Sequence, residues 1–353
     1  MRTALKKLRI IAFAISMASV WYYSGPGFTA LCDSTQVEKQ ISSSAQSTRK
    51  KILYVDSYHP EFKWVKGITQ GIADRLRISV DREGRFDDAN SPFELRMFHM
   101  DTKRNLSEAF MKSAALQAKH VIDTWQPDLV IASDDNASKY LIVPYFMNSS
   151  IPFVFCGIQW DAGVYGFPSR NITGVVEVIL IPQLIDILSA HARGPRIGFL
   201  ASDHFSQRTH VANIKKTFGF EIQGTFVKTF DEWKTHFLKF QHEVDLLILD
   251  VAPGVSGWDD EEARAFVMNA TEIPTGCWDD WMTPFAMVGV LKSPEELGDL
   301  AAKMAIDILN GRSPRDIPVT TNKKAKIFLN MRIAKKLNIK FPMKLIKQAT
   351  FVH

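Results

Sequence analysis

The sequence predicts an α/β protein built from two Rossmann-like lobes with parallel sheets. Short apolar runs alternate with helical patterns from residue 51 onward, the order that places helices on both faces of a parallel sheet. The alternation starts again near residue 196, and two units of about equal size favour two lobes over one long sheet. With 353 residues and a hydrophobic content of 46%, each lobe can bury its own core.

The first lobe is predicted from βα units and a closing strand. Its strands are expected at Ile52–Asp56, Phe93–Met100, Leu129–Ser133 and Pro152–Gly157. Its helices are expected at Trp64–Arg77, Ser107–Trp125 and Ala137–Phe146. The strands are short apolar runs, and the helices are the longer segments between them.

The second lobe repeats this order. Its strands are expected at Arg196–Ala201, Glu221–Phe226, Leu246–Val251 and Pro274–Trp278. Its helices are expected at Ser206–Phe218, Phe230–His242 and Ala263–Asn269. A late helix, Pro294–Asn310, has its apolar residues at amphipathic spacing and ends at Gly311, which is a typical helix stop.

Residues 1–31 have the pattern of a secretory signal peptide. Four basic residues stand among the first ten, and the apolar run Ile10–Tyr23 is shorter than the ~20 residues of a membrane-spanning helix. An uncleaved anchor is the alternative. Residues 32–50 are polar and indicate a linker. We therefore expect an exported, periplasmic protein, and we predict no lipid anchor on Cys32 because Leu31 precedes it where a small residue is usual.

Charge and cysteine content exclude several classes of protein. The net charge of +5 comes mostly from the basic N-terminal segment, so it does not indicate a nucleic-acid surface. The three cysteines, Cys32, Cys156 and Cys277, are too few and too scattered for a disulfide framework. No motif indicates a metal or a cofactor. We expect a monomer with a small-molecule ligand and no nucleic-acid partner.

Candidate ligand-binding residues follow the predicted strands, because ligands of open α/β sheets bind beyond the carboxyl ends of the strands. In the first lobe these residues are Ser57, Tyr58, His59, Trp64, Ser133, Asp134, Asp135, Asn136, Gln159 and Trp160. In the second lobe they are Asp203, His204, Asp250, Trp278, Asp279, Asp280 and Trp281. Aromatic walls with a few polar groups suit a small ligand held between lobes. The alternative is helix capping by Asp and Ser, which explains Ser133 and Asp134 as well but does not explain the two tryptophans.

Aspartates dominate these turns, and Lys and Arg are nearly absent from them. The aspartates are Asp56, Asp134, Asp135, Asp203, Asp250, Asp279 and Asp280. A cleft lined with one sign of charge attracts the opposite sign. We therefore expect a ligand with a positive group, an amino acid or another amine, bound by Asp279 or Asp280 beside the tryptophans. A carboxylate on the same ligand would bind backbone N–H groups near Ser133 or Ser206.

Several motifs resemble the ABC transporter substrate-binding protein family, in the branch whose domains also occur as sensors of histidine kinases. Residues 57–64, SYHPEFKW, resemble the family's start, with Gly67, Ile68, Gly71 and Ile72 after them. Residues 171–174, NITG, resemble its lobe-crossing motif. The tail from Leu297 through Gly311 to Pro342 matches best. Together these motifs cover about residues 51–348.

The resemblance implies a type I periplasmic-binding-protein fold, in which a three-strand hinge joins lobes that close on a ligand. The implied crossings lie near 161–171, 282–290 and 312–317. Lobe 1 would hold residues 51–160 and about 285–312, and lobe 2 would hold 161–284 and about 313–348. Residues 288–292 depart from the family's pattern, so no ligand contact is carried over to them.

The implied function is solute binding and delivery to an ABC permease. The alternative is a sensor that presents the same ligand to a membrane kinase, which differs in partner and not in pocket. An exported enzyme is a third hypothesis, since His59 near Asp56 and His204 beside Asp203 would suit acid–base pairs. The sequence has no Gly-x-Ser-x-Gly elbow, P-loop or His-Glu-x-x-His motif, and we predict no enzyme.

Overall fold

The computed structural model describes residues 49–250 and 254–352. The predicted signal peptide and nearly all of the predicted linker lie outside these residues. Within them, no helix combines the length and the apolar content needed to cross a membrane. The described chain forms two sheets with helices packed on their faces, which confirms the predicted α/β class.

The first sheet consists of parallel strands. Its members are β1 (Lys50–Asp56), β4 (Phe93–His99), β5 (Leu129–Ser133), β6 (Phe153–Gln159), β7 (Ile172–Glu177) and β13 (Thr320–Thr321). Their order across the sheet is β13-β7-β6-β5-β1-β4. The short strands β2 (Ser79–Val80) and β3 (Phe86–Asp87) form a separate antiparallel hairpin.

The second sheet is parallel except for one pair. Its members are β8 (Ile197–Ser202), β9 (Ile222–Val227), β10 (Leu246–Asp250), β11 (Thr275–Cys277), β12 (Val288–Lys292), β14 (Ala325–Asn330) and β15 (Ala349–Val352). Their order is β15-β14-β12-β11-β10-β8-β9, and β12 pairs with β14 in the antiparallel sense. The central strands of both sheets are buried, which explains why they appear in the sequence as short apolar runs.

The predicted helices lie close to their expected positions, and three further helices, Ile181–Ser189, Met331–Lys336 and Met343–Gln348, were not predicted. In chain order the helices are α1 (Lys63–Leu76), α2 (Glu108–Trp125), α3 (Asp134–Ala137), α4 (Val143–Phe146), α5 (Ile181–Ser189), α6 (Phe205–Phe218), α7 (Phe230–Glu243), α8 (Asp260–Ala270), α9 (Pro294–Leu309), α10 (Met331–Lys336) and α11 (Met343–Gln348). A π-helical turn, Ser138–Ile142, joins α3 to α4, and 3-10 turns occupy Ala162–Tyr165, Asp280–Met282 and Pro314–Asp316. Capping side chains fix the N-termini of two helices. Thr229 and Glu232 form a capping box on α7, and Asp259 accepts from the Glu262 N–H at the start of α8.

The chain passes between the two sheets three times, at residues 178–180, 293 and 322–324. Each crossing lies later than the resemblance implied. Residues 172–177 are a buried strand of the first sheet because they pair with β6, and 288–292 belong to the second sheet because they pair with β11 and β14. Residues 314–321 stay with the first sheet through β13. Pairing with a neighbouring strand, which local sequence does not show, determines these boundaries.

Helix α9 returns to the first sheet and packs against α1 with the two backbones in close approach. A methyl group at Gly71 would lie 2.0 Å from the Glu295 carbonyl oxygen. A methyl group at Gly298 would lie 2.1 Å from the Ile68 carbonyl oxygen. Glycine is therefore required on both helices, and this contact ties a late segment of the chain to the first lobe.

Side-chain hydrogen bonds fix the crossing segments to one another. The buried Asn322 accepts from the Val178 N–H at 2.7 Å and donates to the Val178 carbonyl at 3.0 Å, which joins the third crossing to the first. Glu296 on α9 accepts from the backbone N–H groups of Lys323 and Lys324 at 2.7–3.0 Å. Hydrogen bonds thus join the three crossing segments into one unit between the lobes.

Candidate ligand-binding site

Ionisable residues gather where the strands of the two sheets end. Asp56 and Glu177 end β1 and β7, and Asp134 follows β5 in the first lobe. Asp250 and Lys292 end β10 and β12 in the second lobe. The four carboxyls are buried and Lys292 is 16% exposed, and Glu177 of the first lobe acts on the charge of Lys292 in the second.

Asp56 is held by donors from its own lobe. Its Oδ2 accepts from the Tyr54 hydroxyl at 2.5 Å and from the Ser133 hydroxyl at 2.9 Å, and its Oδ1 accepts from the Tyr58 N–H at 2.5 Å. Burial raises the pKa of Asp56, and these hydrogen bonds oppose the rise. Ser57 extends the network by donating to the Ser133 carbonyl at 2.6 Å. The network positions the loop after β1.

Only one of the two carboxyl oxygens of Asp134 has a hydrogen-bond donor among the described residues. The Trp64 indole donates to its Oδ1 at 3.0 Å, and its Oδ2 has no hydrogen-bond partner within the described ranges. Asp134 adopts a φ of 68°, which few residues other than glycine take up, and a methyl group at Gly157 would lie 2.9 Å from its Oδ1. Burial, followed by the charges of Asp56 and Glu177, raises the pKa of Asp134 well above its ordinary value.

Asp135 completes the first-lobe group. Its Oδ1 accepts from the Tyr165 hydroxyl at 2.7 Å, and its Oδ2 accepts from the Gln159 N–H at 3.3 Å. Burial raises the pKa of this carboxyl despite both bonds. Gln159 therefore contributes its backbone here, and Asp135 connects the ends of β5 and β6.

The second lobe supplies Asp250 and Asp279. The Trp278 indole donates to Asp250 Oδ2 at 2.9 Å, while Oδ1 has no partner among the residues that the structure describes. Burial, followed by the charge of Asp279, raises the pKa of Asp250 to about 8, and the neighbouring Gln207 amide lowers it in part. Burial also raises the pKa of Asp279 to about 6, against the effect of Lys292. Both carboxyls bind protons more tightly than they would in water.

Lys292 is the cation of this cluster. Its ammonium pairs with Glu177 across the hinge and lies 5.5 Å from the centre of the Trp64 ring. Burial lowers the pKa of Lys292, but Glu177, Asp279 and Asp250 outweigh that effect and raise it. The ammonium stays charged, and its direct ion-pair partner is Glu177.

The lobes also touch at the edges of the cleft. The Trp160 indole lies 3.3 Å from His210 Nδ1, and burial together with Lys292 lowers the pKa of His210 to about 4, so the ring is neutral and accepts this bond. Lys63 reaches Asp280 at 3.1 Å on one flank. Lys216 reaches Asp161 at 3.6 Å on the other flank. The described structure is therefore one in which the lobes face each other in contact.

Some of the predicted site residues lie in the cluster of ionisable and aromatic residues at the strand ends, and others lie outside it. The cluster contains Tyr58, Trp64, Asp134, Asp135, Asp250, Trp278 and Asp279. Trp278 is 2% exposed and stacks on Phe199, so it orients Asp250 and is not the open wall that we expected.

The other predicted residues have different roles. Asp203 pairs with Arg208 at 2.7 Å, and His204 is exposed and contacts Ser206. His59 stacks on Phe62 and lies 3.8 Å from Asp101, and Asn136 donates to Thr102. Trp281 is 49% exposed. The described partner of Asp203 is therefore Arg208, and His204 contacts Ser206.

Glu177, Lys292, Gln207 and His210 were not among the predicted site residues. Glu177 and Lys292 end β7 and β12, two strands that were not predicted, so neither residue was expected at a strand end. Lys292 adds a cation at the end of a strand that was not among the predicted strand ends, where aspartates dominate. A lysine and a glutamate that each end an apolar strand were the available signal.

The site offers hydrogen bonding and charge, with aromatic rings beside them. Among residues 49–250 and 254–352, no three His, Cys, Asp or Glu side chains are grouped so that they could hold a metal ion. The described cysteines, Cys156 and Cys277, are buried as free thiols.

Comparisons with known proteins identify the class. The family model for ABC transporter substrate binding proteins matches residues 100–353, and the chain belongs to this family. A comparison with curated proteins found no match.

Solved structures support the same fold. A ligand-free, open substrate-binding protein with adhesive properties from Clostridium difficile is 17% identical, with a TM-score of 0.64 over 86% of this chain and 99% of that one. An ABC domain in complex with L-Trp from Streptococcus pneumonia is 19% identical, with a TM-score of 0.52 over 87% and 100%. An ABC transporter solute-binding protein from Bradyrhizobium sp. BTAi1 with bound Bis-Tris is 13% identical, with a TM-score of 0.51 over 83% and 86%. The fold is that of a type I periplasmic binding protein.

Proposed function

We propose that this protein is exported, binds a small cationic solute between its lobes and delivers it to an ABC permease. Its membership of the substrate-binding family supports binding and transport. The positive charge that we assign to the solute is supported by an imbalance between acidic and basic groups in the cleft. Asp134, Asp135, Asp250 and Asp279 all have raised pKa values, whereas Lys292, the ammonium that the described residues place beside them, is already paired with Glu177.

A cation would correct this imbalance. Buried carboxyls with raised pKa values lack compensating positive charge, and an ammonium group placed beside them favours their ionised form. The energy that the folded protein loses by burying these groups is then recovered on binding. An anionic solute would add to the repulsion, and a neutral sugar would leave it unchanged.

A thermal-shift screen of amines, amino acids, neutral sugars and dicarboxylates tests the proposal. We expect amines to raise the melting temperature of the wild type and of the control Asp203→Asn, which lies outside the cluster, but to act weakly on Asp279→Asn. Small-angle scattering should show a monomer that becomes more compact with the stabilising amine. Stabilisation by dicarboxylates alone would refute the cationic solute.

Delivery and the absence of turnover need separate measurements. Genes for a permease and an ATPase beside this gene would support delivery, whereas a sensor kinase in their place would support the sensing alternative. Mass spectrometry should recover the bound solute unchanged after prolonged incubation. Conversion of the solute would contradict the proposal that the protein only binds it.

A further inference from the structure

The two lobes each present the same pair of side chains at the cleft. In the first lobe the Trp64 indole donates to one oxygen of Asp134 at 3.0 Å. In the second lobe the Trp278 indole donates to one oxygen of Asp250 at 2.9 Å. In each pair the indole fixes the plane of the carboxylate and leaves the second oxygen available.

Those second oxygens are buried acceptors without donors. Asp134 is 3% exposed and Asp250 is 1% exposed, and neither Asp134 Oδ2 nor Asp250 Oδ1 has a hydrogen-bond partner in the described part of the chain. Gln207, beside Asp250 on the first turn of α6, has an equally unpartnered Oε1. A buried acceptor left without a donor costs stability, so such atoms at a cleft indicate a ligand that donates hydrogen bonds.

We propose that the solute is a diamine, or another dication with two separated N–H-donating groups, and that one group binds Asp134 in the first lobe while the other binds Asp250 in the second. This inference rests on the proposed solute-binding function and specifies its substrate class. Each ammonium makes a charge-assisted bond to the free oxygen of one indole–carboxylate pair, and Gln207 accepts a further N–H at the second-lobe end.

The cluster is poorly suited to an amino acid. The carboxylate of such a ligand requires a donor or a cation, and Lys292 is already bound to Glu177, which is itself 5% exposed. The unpartnered atoms of Asp134, Asp250 and Gln207 are all oxygens, and those of the two carboxyls accept hydrogen bonds when the carboxyls are ionised. A ligand carboxylate would therefore meet like charge in either lobe, whereas a second ammonium meets a free carboxylate oxygen.

Isothermal titration with α,ω-diamines of increasing chain length, matched monoamines and the corresponding amino acids tests this inference. We expect the best diamine to bind about 10- to 100-fold more tightly than the monoamine of the same length, because a second charge-assisted bond is made. Asp134→Asn and Asp250→Asn should each reduce diamine affinity to the monoamine level, and the control Asp203→Asn should not. Trp64→Phe, which keeps Asp134 but removes its indole donor, provides a second variant if Asp134→Asn does not fold.

The possible results distinguish a failure of the diamine assignment from a failure of the proposed solute-binding function. Equal affinity for diamines and monoamines, or tighter binding of amino acids or neutral sugars, overturns the diamine assignment and leaves solute binding intact. A wild-type protein that folds but neither binds nor becomes compact with any solute of the screen overturns the proposed function as well.

Discussion

Asp56 and Asp250 occupy equivalent places in the two lobes and differ in their partners. Each is the last residue of a buried strand, and each is at most 1% exposed. Asp56 accepts hydrogen bonds from Tyr54, Ser133 and the Tyr58 backbone, which satisfies both of its oxygens. Asp250 accepts from Trp278 on one oxygen and has no partner among the described residues on the other.

The comparison teaches that a buried carboxylate at a strand end is structural or ligand-binding according to its supply of donors. The lobe satisfies Asp56 by itself, so removing this residue should damage the fold. The second lobe leaves one oxygen of Asp250 without a donor among the described residues, so removing this residue should weaken ligand binding. Three predictions, from the largest expected effect to the smallest, test this division.

Asp56→Ala should lower the free energy of unfolding by about 3–5 kcal/mol, because it removes the common acceptor of the Tyr58 N–H and of the Tyr54 and Ser133 hydroxyls. Asp250→Ala should cost less, about 1–2 kcal/mol, because it removes the acceptor of the Trp278 indole and a partner of the Gln207 amide. Chemical denaturation of both variants at neutral pH measures the difference. Equal losses would show that the two carboxylates are alike and would remove the basis of the comparison.

The unliganded protein should become less stable, by about 1–3 kcal/mol, as the pH rises from 5.5 to 8. The folded-state pKa values of Asp250, about 8, and Asp279, about 6, lie above the ordinary value of 3.8. The folded protein therefore retains protons that the unfolded chain releases, and the stability present below about pH 4 is lost as the pH rises towards 8. His210, with a pKa of about 4 below its ordinary 6.5, acts oppositely and lowers stability as the pH falls from 6.5 to 4.

Thermal unfolding across this pH range checks the sign. Asp250→Asn removes one titrating group and keeps an acceptor for Trp278, so it should flatten the decline between pH 5.5 and 8. A cationic ligand requires ionised carboxylates, so its affinity for the wild type should increase over the same interval. An unliganded wild type that gains stability up to pH 8 would contradict the raised pKa values.

Lys63→Ala and Lys216→Ala should each weaken ligand binding by less than about fivefold. Their ion pairs with Asp280 and Asp161 join the two lobes in this structure, but exposed pairs contribute ~1 kcal/mol or less. The effect should fall as salt is added. The matched control is Lys239→Ala, whose partner Glu243 lies on the same helix, and it should leave affinity unchanged. Losses that persist at high salt would assign these lysines a direct role in binding.

Most helices and central strands were predictable because their signals are local. Leu129–Ser133 was predicted with its observed bounds, and Pro294–Asn310 within one residue, from an apolar run and a helical period. Strands β7, β12 and β14 were missed because pairing defines them as much as composition does. Asn330, for example, ends a strand and also caps α10, a role that only its position in the sheet explains.

For the candidate site, the sequence by itself determined which residues stand at most of the strand ends, because buried parallel strands are apolar and the chain becomes polar where they stop. It placed Asp134, Asp250 and both tryptophans of the indole–carboxylate pairs in that set. Only the tertiary structure decided which carboxylates are satisfied. The donors to Asp56 include a residue 77 positions away, and Lys292 meets Glu177 across 115 positions of sequence. Free acceptors depend on contacts of that range, which local composition does not encode.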